Sequence, residues 1–119
     1  GDLARFYAML GGGGSLDRVQ IMKPETVEEV TNLQIEAMDH SLAQNMRRCL
    51  GMVLADQRMA ADESKGSRTF GHAGAGTSVG WADPEAGLAM AFITNGFRAN
   101  RTNTPRLEAI SRAVRDACE

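Results

Sequence analysis

Phe70-Gly71-His72-Ala73-Gly74-Ala75-Gly76-Thr77-Ser78-Val79-Gly80-Trp81-Ala82-Asp83-Pro84-Glu85-Ala86-Gly87-Leu88-Ala89-Met90-Ala91-Phe92-Ile93-Thr94-Asn95 is the stretch on which the fold turns. Thr69 to His72 and Ser78 to Ala82 read as short extended segments. Leu88 to Thr94 is apolar almost throughout, the pattern of a strand covered on both faces. Asp83-Pro84 opens and Gly87 closes a turn between the last two segments. Strands joined by so short a turn must run antiparallel, and Asn95-Gly96 ends the second arm.

Outward from this hairpin, Leu3, Phe6, Tyr7 and Leu10 follow a helical stripe that ends at Gly11, predicting a helix over Asp2 to Leu10. A helix starting at the second residue, with nothing upstream to pack on, suggests a chain cut from something longer. Pro24, Glu25, Glu28 and Glu29 mark the start of a second helix, with Val27, Val30 and Leu33 as its apolar stripe, over Pro24 to Gln34. Glu36 to Arg48 fits a loop and an irregular helix equally. Cys49 to Ala55 has the length of a strand, and Gln57 to Gly66 reads as an exposed loop. Pro105 opens a last helix, capped by Thr104 and running to Cys118, with Leu107, Ile110 and Val114 on one face. This order predicts an α+β fold in which helices pack against an antiparallel sheet.

The composition places the 119 residues in one soluble globular unit: 43% are apolar and 24% charged. A net charge of −2, with the arginines scattered along the chain, leaves no footprint for nucleic acid or acidic lipid, so a small neutral or weakly anionic partner is expected. Cys49 and Cys118 have no CxxC or metal spacing, so no disulfide framework is implied, and no metal or cofactor is expected. No run approaches the ~20 apolar residues of a membrane span. The chain carries no signal peptide, which favours the cytoplasm unless a leader has been lost with the natural N-terminus.

Two motif readings fail on context, and a third, at odds with it, stays as the runner-up catalytic reading. Gly11 to Gly14 lacks the Gly-Lys-Ser/Thr of a phosphate loop. The glycines from Gly71 to Gly76 lead into Val79-Gly80-Trp81, with no helix to receive a dinucleotide's pyrophosphate. Gly76-Thr77-Ser78-Val79-Gly80 matches the nucleophile elbow Gly-x-Ser-x-Gly. That elbow needs a helix after Ser78 and a later histidine, whereas His40 and His72 both precede it.

His72-Ala73-Gly74, Gly76 to Gly80, Ala82 to Leu88 and Ile93-Thr94-Asn95 resemble the C-terminal part of class C β-lactamases and family VIII carboxylesterases, penicillin-binding-protein-like serine hydrolases. Asp2 to Phe6, Lys23 to Thr26 and the closing helix share the resemblance, which is weakest over Glu36 to Arg48. It implies the C-terminal portion of the β-lactamase/transpeptidase-like fold, with residues 1–119 forming a single partial domain. In that family a strand beside the active site carries Lys-Thr-Gly, or His-x-Gly in the esterase-like branch, and His72-Ala73-Gly74 falls on it. By resemblance, His72 supports the electrostatics around the nucleophile, Gly74 keeps the wall flat and the Ala75 N–H is one oxyanion donor. Asn95 flanks the site. Such a donor is worth about 3 kcal/mol in the transition state.

The departures also bear on function. Ala73 replaces the hydroxyl residue of Lys-Thr-Gly and so removes a donor for a substrate carboxylate, which points to ester rather than β-lactam hydrolysis. Thr77 stands where relatives often carry glycine. Ser-x-x-Lys is absent, since Gln20 and Asp62 stand three residues before Lys23 and Lys65, and Tyr-x-Asn is absent because Ala8 and Met9 follow Tyr7. The expectation is the C-terminal part of a serine hydrolase acting on small esters or amides, inactive alone, with a missing N-terminal segment or a second copy as its partner. The alternative is a non-catalytic binding or assembly module built on the same fold.

Overall fold

A computed structural model describes the chain except Glu63, Lys65, Ala75, Gly76, Arg98, Glu119 and the side chain of Asn100. The elements are α1 (Asp2–Gly11), β1 (Ser15–Leu16), β2 (Val19–Gln20), α2 (Pro24–Thr31), β3 (Ile35–Asp39), β4 (Gln44–Arg48), β5 (Val53–Leu54), a 3-10 turn (Gln57–Met59), β6 (Phe70–Ala73), β7 (Val79–Asp83), β8 (Leu88–Phe92) and α3 (Asn100–Asp116). Strands β3 to β8 form one antiparallel sheet in sequence order, and β1 and β2 make a separate small hairpin. The expected α+β fold with a C-terminal helix is present.

Alternation along β6, β7 and β8 divides the core in two. On one face α1 covers the sheet, and Tyr7 and Leu10 pack with Leu54, Phe70 and Ala82. On the other face α3 lays Leu107 against Val79, Trp81 and Met90. Trp81 is fully buried there. Its Nε1 donates to Ser111 Oγ at 3.0 Å, and that hydroxyl donates to the Arg58 carbonyl at 2.8 Å, which ties α3 to the 3-10 turn. Nearby, Arg115 pairs with Asp83 and donates to Thr69 Oγ1, and its guanidinium lies 4.5 Å from the Trp81 ring centroid.

Four local expectations are corrected. Glu36 to Arg48 lies almost entirely in the β3–β4 hairpin, whose turn is held by Asp39 Oδ1 accepting the Ser41 and Leu42 N–H groups. Every residue of β3 but Asp39 is exposed, so no face is buried and no period-2 apolar signal exists to be read. Helix α2 stops at Thr31 rather than Gln34, because the Gln34 N–H donates to the Arg48 carbonyl and leads into that hairpin. Of Cys49 to Ala55 only Val53–Leu54 is strand; Cys49 to Met52 form a turn with Gly51 at φ +77°. Finally, α3 begins at Asn100 with Ala99 as its N-cap, so Thr104 is no cap and Pro105 lies inside the helix. Asn103 is buried on the same face as Leu107 and extends the packed stripe one turn further back than the proline suggests.

Candidate functional site

Strand β6 outruns its neighbour β5: the β5–β6 ladder holds only Val53↔Gly71 and Leu54↔Phe70, whereas β7 pairs with β6 as far as Ala73↔Val79. Within these ladders, His72 and Ala73 therefore have a strand partner on the β7 side alone. The Gly74 N–H donates to the Ser78 carbonyl at 2.9 Å, so the even-numbered residues of β6 bond toward β7 and Ala73 turns its backbone to the open edge. A free strand edge beside an uncovered surface can hold a substrate's polar group by main-chain hydrogen bonds.

The side chains sort by the same alternation. His72 and Gly74 are exposed and open on the α1 face. Ala73 turns to the opposite face, where it is buried among Val79 and Leu107, so its methyl does not line the surface that carries His72. Asn95 is exposed, just beyond the end of β8. Ala75, the expected oxyanion donor, lies outside the described residues.

Three further residues build the surroundings. A Cβ on Gly74 would lie 3.5 Å from Ser78 Cβ, so Ser78 stands across from Gly74 on the His72 face. Strand β7, and not a helix, follows Ser78, which removes the elbow geometry. Tyr7 and Leu3 of α1 cover Gly80, the cross-strand partner of His72. Burial raises the Tyr7 hydroxyl's pKa, the His72 backbone works against that rise and Cys49 adds to it, which places the phenol close behind the His72 strand. The helical stripe Leu3, Tyr7, Leu10 marked Tyr7 as core but not what it would cover. Third, Thr77 is buried and its hydroxyl donates to the Gly96 carbonyl, which ties the turn after β6 to the loop after β8.

One charged pair, Asp56 with Arg58, lies within electrostatic reach of His72. Burial pushes the Asp56 carboxyl up, but hydrogen bonds and charge from Arg58, with a smaller contribution from His72, bring it below the ordinary range. The Asp56–Arg58 pair lines a groove of about 380 Å³ with Asn45, Arg47 and Thr104, and neither His72 nor Gly74 belongs to its lining. Burial also raises the Cys49 thiol. Among the described residues, no group of three or more His, Cys, Asp or Glu side chains is arranged to hold a metal, and no helix is long and apolar enough to cross a membrane.

The Beta-lactamase family profile matches residues 1–115. Over 93 residues the chain is 31% identical to "Esterase/beta-lactamase LipL" of Mycobacterium tuberculosis (strain ATCC 25618 / H37Rv), covering 78% of this chain and 20% of that protein. A penicillin-binding protein homolog from Caulobacter crescentus superposes with a TM-score of 0.82 at 25% identity, over 98% of this chain and 31% of its own. A family VIII carboxylesterase gives a TM-score of 0.77 at 26% identity, again over 98% and 31% of the two chains. The chain thus spans 20% of the length of LipL and 31% of each solved neighbour.

Proposed function

The chain belongs to the beta-lactamase family, and on that footing we propose that it is the C-terminal part of a serine hydrolase whose Ser-x-x-Lys and Tyr-x-Asn motifs lie outside these 119 residues. The observation that carries this reading is the His72-Ala73-Gly74 run, with His72 and Gly74 exposed, on a strand that outruns its neighbour and so keeps an open edge. Within it the serine hydroxyl from the other segment attacks an ester carbonyl, the alcohol leaves with a proton, and water then releases the acid from the acyl-enzyme. The carbonyl oxygen gains negative charge in both steps, and the resemblance to the family assigns the Ala75 N–H as one donor to it. His72 favours that charge from the same strand, and Gly74 leaves room for the substrate beside Ser78. Asn95 borders the site from the end of β8.

The experiment is labelling of the full polypeptide that contains this chain with a fluorophosphonate, followed by peptide mapping. The expected outcome is one labelled serine in a Ser-x-x-Lys sequence outside residues 1–119. Label on Ser78, or on no serine, contradicts the reading. A second reading is an assembly module that keeps the fold without chemistry: among the described residues β8 pairs with β7 alone, which leaves its other edge for a further strand.

A further inference from the structure

Gly74 stands across from Ser78, and the β7–β8 ladder ends at Val79↔Phe92, so the next cross-strand step sets Ser78 opposite Ile93. Gly74, Ser78 and Ile93 therefore follow one another across three strands on the His72 face: no side chain, then a small one, then a branched apolar one. Helix α1 lies over Gly80 through Leu3 and Tyr7. Beyond its start this strip is open, and Ile93 is 64% exposed on it. Phe97 is 80% exposed and follows Gly96, whose carbonyl is held by the buried Thr77 in the turn after Gly74. Scattered single apolar residues on a surface mean little. Here two large ones sit at the same end of the sheet as the candidate site, one stiff at χ1 because it is β-branched and one on a tethered loop. No residue from Leu88 to Phe97 is charged, so this border brings no opposite charge to a carboxylate.

We propose that Ile93 and Phe97 form the wall that selects the substrate's apolar group, so that the site takes uncharged esters with a medium aliphatic chain in preference to acetyl esters. The proposal rests on the serine-hydrolase reading above. An aliphatic chain lying along the Gly74–Ser78–Ile93 strip leaves water on one side and meets Phe97 at its far end, while the ester carbonyl stays at the β6 edge. Mostly apolar walls with few polar groups are the usual construction of small-molecule sites.

The test is steady-state hydrolysis of p-nitrophenyl acetate and p-nitrophenyl octanoate by the full polypeptide, in the wild type and as Ile93→Ala, Phe97→Ala and Phe97→Leu. Each alanine variant is expected to lower kcat/KM for the octanoate on the order of tenfold while the acetate stays within about twofold, and Phe97→Leu to recover most of the loss. Equal losses on both esters make the residues structural, and unchanged values for both mean that the rest of the polypeptide covers them; either result overturns the proposal alone. Wild-type protein that hydrolyses neither ester overturns this proposal and the serine-hydrolase reading together.

Discussion

The ring of Tyr7 occupies the space that a side chain at Gly80 would need: a Cβ built there runs into Cε2 of the phenol, with Leu3 Cδ2 3.3 Å away. Gly80 is the cross-strand partner of His72, so this contact fixes how closely α1 approaches the strand that carries the candidate site. Gly80→Ala is expected to cost about 1–3 kcal/mol by overpacking. In a Tyr7→Ala background the same change should cost less, because the atom it strikes is gone. Additive losses in denaturant melts of the two single variants and the double variant would show that the contact is not the cause.

Ser111 holds two buried groups at once, accepting from Trp81 Nε1 and donating to the Arg58 carbonyl. Ser111→Ala leaves both without this partner and is expected to destabilise the chain by about 2 kcal/mol, within the usual cost of orphaned buried polar groups. Trp81 is the single tryptophan, so its fluorescence reports the unfolding midpoint directly. A midpoint equal to the wild type's would mean that water replaces the hydroxyl.

The Asp83 carboxyl is pushed up by burial, but Arg115, the Ala86 N–H and Thr69 outweigh that push and hold it below the ordinary carboxylate range. Its contribution is therefore complete above the unfolded-state value of about 3.9 and is lost as pH falls through the lower folded value. Stability should be level in Asp83 terms from neutrality to about pH 4 and then decline. Asp83→Asn should be less stable by about 3 kcal/mol at pH 7, since Arg115 loses its partner, and should show a shallower acid decline. Urea melts from pH 7 to pH 3 measure both; an equally steep decline in the variant assigns it to other groups.

Along β7, Gly80 bonds toward β6 and Trp81 toward β8, so Met90 bonds inward while Ala89 and Ala91 turn their amides and carbonyls to the outer edge. The other outermost strand, β3, carries Glu36 and Asp39, whereas β8 carries no charge and no proline. Such an unguarded edge pairs with another strand. The isolated 119 residues are expected to self-associate with rising concentration, and Ala91→Pro, which deletes one outward donor, to shift the balance toward monomer without changing Trp81 fluorescence. Light scattering that finds wild type and variant equally monomeric removes β8 as an association edge.

The hairpin from Val79 to Phe92 and helix α1 were legible because each buries one defined stripe or is covered on both faces, and that is what periodicity records. The β3–β4 hairpin was not, because its order comes from the Asp39 turn and its pairing rather than from burial. The start of α3 misled through Pro105, whose usual first-turn place was overridden by Asn103 and Leu107 packing on one face. At the candidate site, His72, Gly74 and their strand could be read from the motif. The opposite orientation of Ala73, the Tyr7 backing and the Thr77–Gly96 tie depend on register and tertiary contact, which a single sequence does not display.

The most direct test of the central claim, that residues 1–119 supply one wall of a serine hydrolase site but not its nucleophile, is hydrolysis of a short-chain nitrophenyl ester. It compares the 119-residue chain with the full polypeptide, each as wild type, His72→Ala and Ser78→Ala. The account predicts no turnover by the chain alone. It also predicts turnover by the full polypeptide that falls at least about tenfold with His72→Ala, at the low end of what an electrostatic group contributes, and that survives Ser78→Ala. Turnover by the isolated chain that disappears with Ser78→Ala would contradict it.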